Sequence, residues 1–107
     1  MKCRVEYTDL SKADLKEIDS AKRIMIRKAI DIVSQNPLPK DEGGYAAPLV
    51  HKQGKSSAGL YKIKLLKLGI RIVYKVVWEA EAARLIVIAI RRNDEAHEIA
   101  AKRNKQY

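Results

Sequence analysis

Three runs of alternating side chains, joined by links of only a few residues, constrain the fold of this 107-residue chain most strongly. The runs are residues 60–66, 70–78 and 84–91, and Gly69 lies in the first link. Alternation with a period of two is typical of β-strands that bury one face. Links this short join antiparallel neighbours, because a parallel pair needs a long crossover connection. The sequence therefore predicts an antiparallel meander with a tight turn at Gly69.

The two faces of this predicted sheet differ in chemistry. One face is aliphatic and aromatic, which suits a layer of helices; its residues are Tyr61, Ile63, Leu65, Ile70, Ile72, Tyr74 and Val76. The opposite face displays Lys62, Lys64 and Arg71, with Arg92 at its rim. We expect this second face to be bare of helices. A bare sheet face that carries several cations is a candidate anion-binding surface.

The residues before the meander predict a strand and a helical hairpin. Residues 2–7 alternate polar and apolar side chains, as a half-buried strand does. Ser11 and Asp14 have the spacing of a capping box, which predicts the start of a short helix. Asp19 or Ser20 caps a second, longer helix with an apolar stripe at helical spacing. We expect this hairpin to cover the apolar face of the sheet.

A long connection and a last helix complete the chain. Residues 36–58 are rich in Gly, Pro and Ser, and loops of this length are often functional or mobile. Asn93 is a candidate cap for a C-terminal helix with acids near its start and bases near its end. The predicted order is β-α-α-β-β-β-α. This is an α+β fold, an antiparallel sheet with the helical hairpin on one face and a C-terminal helix, in a single domain over 1–107.

The charge of the chain is strongly basic. The 22 Lys and Arg residues outnumber the 13 Asp and Glu residues, which gives a net charge of +9. Most of the excess lies in residues 61–107, which hold 11 basic and five acidic side chains. This distribution favours a polyanionic partner, namely nucleic acid, a ribosome or an acidic protein. Solubility alone is the competing explanation of the charge.

Composition also excludes several classes of protein. Cys3 is the one cysteine and His51 and His97 are the two histidines, so neither a disulfide nor a zinc site is expected. No apolar run approaches the roughly 20 residues of a membrane span, and the first residues do not resemble a signal peptide. We expect a soluble, cytoplasmic protein without metal or cofactor.

The residues of the meander resemble a known family. The stretch Leu60–Lys75, LYKIKLLKLGIRIVYK, resembles the signature of RelE-type toxins, with a Lys-x-Lys pair, a glycine turn and an arginine on the next strand. Residues 88–92 (IAIRR) and 93–103 are similar to the closing strand and last helix of that family, and 42–49 (EGGYAAPL) to a loop in some members. The resemblance covers essentially the whole chain and implies the RelE-like microbial ribonuclease fold of the RelE/ParE superfamily.

The resemblance also implies an activity and a catalytic set. RelE-type toxins are endoribonucleases, or mRNA interferases, that cleave messenger RNA in the ribosomal A site by attack of a 2′-hydroxyl, without a metal. By position, Lys62 and Lys64 correspond to the paired lysines, and Arg71 and Arg92 to the two arginines. His97 stands near the place where the family commonly has tyrosine, and it suits base stacking or proton transfer. Lys64 is the candidate general base, Arg71 the phosphate clamp, and either Arg92 or Lys62 lies near the leaving oxygen.

The implied partners are a RelB-like antitoxin, the ribosome and mRNA, with inhibition of translation as the result. The cations expected to bind RNA include four beyond the catalytic set: Lys75, Arg91, Lys102 and Arg103. Two other functions remain compatible with the sequence, a ParE-like inhibitor of DNA gyrase and a basic ribosome- or nucleic-acid-binding module without catalysis. ParE-like chains generally lack the combination of Lys-x-Lys, an arginine on the next strand and a terminal basic residue followed by Tyr or His, so its presence here favours cleavage over gyrase inhibition.

Overall fold

The computed structural model of the chain describes residues 3–38, 42–45, 47–48, 59–79 and 82–105. Its helices and strands follow the predicted order, with one short strand added: β1 (Arg4–Tyr7), α1 (Asp9–Lys16), α2 (Ser20–Gln35), β2 (Ala47–Pro48), β3 (Leu60–Leu65), β4 (Ile70–Trp78), β5 (Ala83–Arg92) and α3 (Ala96–Asn104). The α+β prediction is confirmed. Much of the predicted connection, at 39–41, 46 and 49–58, lies outside the described residues.

The strands form one sheet in the order β1-β5-β4-β3-β2. The predicted antiparallel meander of β3, β4 and β5 is confirmed. A single turn of 3-10 helix, Leu66–Leu68, leads into Gly69, whose φ of 68° is left-handed and suits glycine. β1 differs from the prediction, because it runs parallel to β5 and makes the sheet mixed. The helical hairpin after β1 provides the long connection that parallel pairing requires.

The helices α1 and α2 cover one face of the sheet, as the apolar pattern predicts. Ile26 and Ile30 of α2 are fully buried in a cluster with Ile72, Tyr74 and Leu85 of the sheet. Burying an aliphatic side chain of this size contributes about 1.5–3 kcal/mol. This cluster fixes which side chains of each strand face the helices, and therefore which face away from them.

The starts of the helices agree with the sequence only in part. Asp19 caps α2 as predicted, because its Oδ1 accepts the backbone N–H of Lys22 at 3.0 Å. The cap of α1 is Thr8 rather than Ser11, since the Thr8 Oγ1 accepts the Ser11 N–H at 3.2 Å. Asn93 does not cap α3, which begins three residues later and has no side-chain cap. The predicted capping roles of Ser11 and Asn93 are therefore wrong.

The helix α3 packs on the second face of the sheet. Its Ala96 and Ala100 lie in a buried cluster with Val73, Ile88 and Ala89 of β4 and β5. The expectation of a bare second face is therefore wrong over β4 and β5, because that part of the face is apolar and has to be covered. Across the described residues, no helix combines the length and apolar character needed to span a bilayer.

Candidate functional site

Three cations lie opposite one another across the second face. In the strand register, Lys64 of β3 pairs with Arg71 of β4, and Arg71 pairs with Arg91 of β5. Side chains of directly paired residues point to the same side of a sheet, with Cα atoms about 4.5–5.5 Å apart. We call Lys64, Arg71 and Arg91 the cationic row. Lys62 lies two residues away from Lys64 on the same face, opposite Val73.

A β-bulge decides which arginine of β5 joins the row. Val73 pairs with Ala89 while Tyr74 pairs with Val87, so Ile88 is an extra residue in β5. The extra residue reverses the alternation of the strand beyond it. Arg91 therefore lies beside Arg71, whereas Arg92 pairs with Ile70, a residue of the helix-covered face. The expected grouping of Arg92 with the two lysines is not what the structure shows.

Arg71 is held by a residue of the turn before α3. Its Nε–H donates to Asn93 Oδ1 at 3.0 Å. The Asn93 backbone N–H donates in turn to the Gly69 carbonyl oxygen at 2.9 Å, which ties this turn to the β3–β4 turn. A contact through Nε fixes the guanidinium plane, and its two Nη groups are the donors that bind phosphate in a bidentate manner.

Arg91 is paired with two carboxylates. Its Nε–H donates to Glu95 Oε1 at 2.9 Å, and its Nη1 lies 3.4 Å from Asp14 Oδ1. Burial works to lower the pKa of Arg91, but the contacts with Glu95 and Asp14 outweigh it and raise the pKa. Arg91 is thus a charged but partly neutralised neighbour of Arg71. Its carboxylate contacts suit a supporting role better than a direct contact with substrate.

Lys64 and Arg92 are the solvent-exposed members of the predicted catalytic set, whereas Lys62 and Arg71 are half-buried. The side chain of Arg92 is 73% exposed at the end of β5, and its Nε lies 3.6 Å from Asp94 Oδ1. Such exposed, loose ion pairs contribute little to stability. Arg92 is therefore an exposed cation outside the row, with long ion pairs to Asp94 and Glu95.

The remaining predicted residues are spread over the second face and α3. His97 is only 3% exposed in α3, so it cannot stack on a base unless α3 moves. Arg103 is 13% exposed and bonds Asp14 and the Ile88 carbonyl oxygen, which makes it a structural residue rather than the expected RNA contact. Lys75 lies on the same face as the row, four residues from Arg71, and Lys102 is exposed on α3.

Asp14 and Asn93 have structural roles that differ from the helix-capping roles predicted from the sequence. Asp14 was expected in a capping box, yet it is buried and accepts the Ile90 N–H at 3.0 Å. The available signal is that Asp14 and Leu15 lie three and four residues after Ser11, because residues with this spacing share a helix face, and these three are the buried residues of α1. Asn93 carried no such signal, since its contact with Arg71 depends on the fold. Within the described residues, no group of three His, Cys, Asp or Glu side chains could hold a metal ion.

Solved structures of three toxins resemble this chain. The free toxin RelE from E. coli, in a form with two arginine-to-alanine substitutions, is 23% identical over 99% of this chain and 98% of its own, with a TM-score of 0.69. The RelBE2 toxin–antitoxin complex from Mycobacterium tuberculosis is 16% identical over 87% and 93%, with a TM-score of 0.64. A YoeB/ParE toxin from Agrobacterium tumefaciens is 22% identical over 84% and 98%, also at 0.64. No protein-family model matches the chain, and no curated protein matches it significantly.

Proposed function

We propose that this chain, which has the fold of the RelE/ParE toxin superfamily, is the toxin of a type II toxin–antitoxin pair and a ribosome-dependent endoribonuclease. It cleaves messenger RNA in the A site without a metal and so inhibits translation in the cytoplasm. The fold alone does not separate this activity from that of other toxins, because function depends on the site. The argument therefore depends on the residues of the second face.

The cationic row is the observation that carries the proposal. Lys64 and Arg71 lie directly opposite each other, with Arg91 next in line. Like charges in cross-strand pairs are destabilising, by a few tenths of a kcal/mol up to about 1 kcal/mol. The repulsion between these paired cations destabilises the free protein. A bound polyanion offsets this repulsion, which gives the pairing a function. The phosphodiester backbone of RNA is such a ligand.

The row and Lys62 supply the groups that the reaction needs. Lys64, in its neutral amine form, takes the proton of a 2′-hydroxyl, and the 2′-oxygen attacks the adjacent phosphorus. Arg71, oriented by Asn93, binds the non-bridging oxygens as negative charge accumulates in the transition state. Lys62 donates a proton to the leaving 5′-oxygen. We assign this step to Lys62 rather than Arg92, because Lys62 shares the face of Lys64 and Arg71. The products are a 2′,3′-cyclic phosphate and a free 5′-hydroxyl.

The proposal includes an antitoxin partner. The RelBE2 structure from Mycobacterium tuberculosis is a toxin–antitoxin complex, and a net charge of +9 suits an acidic partner. We propose a RelB-like antitoxin that blocks access to the second face by a segment that folds on binding. The ribosome and its mRNA are the proposed targets of the free toxin.

Mapping of RNA 5′ ends tests the proposed function. Purified protein is added to ribosomes that are stalled on a defined mRNA, and the new ends are located by primer extension. We expect cuts confined to the A-site codon, with 5′-hydroxyl ends, and none in the same mRNA without ribosomes. The protein is also tested for inhibition of DNA supercoiling by gyrase. Inhibited supercoiling without RNA cleavage would replace the proposal with a ParE-like function, and neither effect would leave a basic binding module.

A further inference from the structure

We propose a second anion-binding site in the groove between α1 and α2, with a phosphate group as its ligand. A cavity of about 350 Å³ lies there, lined by Tyr7, Lys12, Leu15, Lys16, Arg23 and Arg27. The phosphate comes either from an RNA backbone or from a free polyphosphate, because both present the same oxygen atoms to the four cations. This proposal does not depend on whether the protein cleaves RNA.

The groove is separate from the cationic row. The helices α1 and α2 pack on the face of the sheet that carries Ile72 and Tyr74. Lys64 and Arg71 point to the opposite face. One phosphate therefore cannot contact both sets of cations, since the sheet lies between them. A ligand in the groove is an additional ligand and not part of the proposed cleavage site.

The four cations are arranged in two matching pairs. Lys12 and Lys16 are four residues apart on α1, and Arg23 and Arg27 are four residues apart on α2. Like charges with this spacing lie on the same helix face and destabilise the helix. The two pairs also face one cavity, and no carboxylate is among the described residues that line it. The repulsion inside the groove is therefore not balanced by residues of its lining.

Two acids near the groove hold other parts of the fold. Asp14 of α1 is bonded to Arg103 and to the Ile90 N–H. Asp19, just before α2, caps that helix through the Lys22 N–H. Neither of these two carboxylates lines the groove, so neither neutralises its four cations from within the cavity.

Two further observations indicate that the groove suits a hydrogen-bonding anion. The Nε–H of Arg23 is buried and has no hydrogen-bond partner among the described residues. Buried donors are normally paired, so an unpaired one on a charged group requires an explanation. Burial raises the pKa of Tyr7, against a smaller opposite effect of Arg27. The Tyr7 hydroxyl therefore remains protonated and can donate to an anion.

Calorimetric titration with inorganic pyrophosphate and with a short single-stranded RNA tests the site. The background protein carries Lys64→Ala and Arg71→Ala, which removes two of the three cations of the cationic row. The groove variant adds Arg23→Gln and Arg27→Gln, and a second variant adds Lys12→Gln and Lys16→Gln instead. The matched control adds Lys22→Gln and Lys28→Gln, which removes two charges from α2 outside the groove lining.

We expect the background protein to bind at least one probe, more weakly as salt is raised. Each groove variant should weaken this binding by about tenfold or more, because hydrogen bonds to charged groups are lost, while the control changes it less than about threefold. Competition between the probes identifies the source of the phosphate. Thermal unfolding without ligand checks that each variant folds, and relief of repulsion should keep its Tm at or above that of the background. Equal weakening by control and groove variants, or no binding of either probe, overturns the proposal.

Discussion

Arg103 donates to both carboxylate oxygens of Asp14, from Nη1 to Oδ2 at 2.6 Å and from Nη2 to Oδ1 at 3.1 Å. The same carboxylate accepts the Ile90 N–H of β5 at 3.0 Å. β1 pairs with β5 only as far as Val87. Asp14 therefore covers the open edge of β5 beyond β1, and one buried carboxylate joins α1, β5 and α3.

Replacement of Asp14 tests this junction. Asp14→Ala removes the acceptor of the Ile90 N–H and the carboxylate partner of Arg103, and breaking a buried ion pair costs about 3–5 kcal/mol. We expect a fall of that size in the free energy of unfolding, measured by urea denaturation. Asp94→Ala is the control, because its side chain is 76% exposed and its removal should cost less than about 1 kcal/mol. Similar losses in the two variants would show that the junction does not stabilise the fold.

Replacement of Asn93 tests whether the orientation of Arg71 matters for the proposed cleavage. Asn93→Ala removes the acceptor of the Arg71 Nε–H but keeps the backbone bond to Gly69. We expect kcat for A-site cleavage to fall about tenfold with little change in KM, because in the proposed mechanism the guanidinium acts mainly on the transition state. An unchanged kcat, or a loss seen only in KM, would mean that the contact is structural. Asp94→Ala, in the same turn, should leave both constants near those of the wild type.

Because of the β-bulge at Ile88, we expect replacement of Arg92 and replacement of Arg71 to have different effects on cleavage. Because Arg92 lies outside the cationic row, Arg92→Ala should reduce cleavage by less than about tenfold. Arg71→Ala should reduce it by about a hundredfold or more, as the loss of a transition-state donor does. The cleavage rates of both variants are measured with ribosome-bound mRNA under single-turnover conditions. A larger loss for Arg92→Ala than for Arg71→Ala would show that the catalytic arginine lies at the strand end.

The reactivity of the Cys3 thiol tests whether the chain just before β1 is buried. It is buried, and its N–H donates to the Ser34 carbonyl oxygen at 2.7 Å. Burial raises the pKa of the thiol, so less of the reactive thiolate forms at a given pH. We expect a disulfide reagent to modify native Cys3 at least about a hundredfold more slowly than Cys3 of urea-unfolded protein. Equal rates would place Cys3 outside the core.

Much of this fold follows from local patterns in the sequence. The alternation in residues 60–78 identifies two strands and their faces, and Gly69 marks the turn between them. The apolar stripe of α2 predicts the layer that covers the sheet. These features are local, because each depends on the spacing of residues close together in the chain.

The remaining features depend on contacts between distant segments. The parallel pairing of β1 with β5 joins residues about 80 positions apart, which periodicity does not encode. The bulge at Ile88 arises from the pairing of β5 with β4. It exchanges the positions of Arg91 and Arg92, so a site copied from sequence alone places the wrong arginine beside Arg71. The burial of His97 likewise follows from the packing of α3 on the second face.

The rate of mRNA cleavage in the A site by Lys64→Ala protein tests the central claim most directly. Lys67→Ala is the matched control, because Lys67 is an exposed lysine three residues further along, in the turn. We predict that Lys64→Ala lowers the single-turnover rate by about a hundredfold or more, with circular dichroism unchanged and antitoxin binding largely intact, while Lys67→Ala cleaves at the wild-type rate. Cleavage by Lys64→Ala at the wild-type rate would contradict the assignment of the cationic row as the catalytic site.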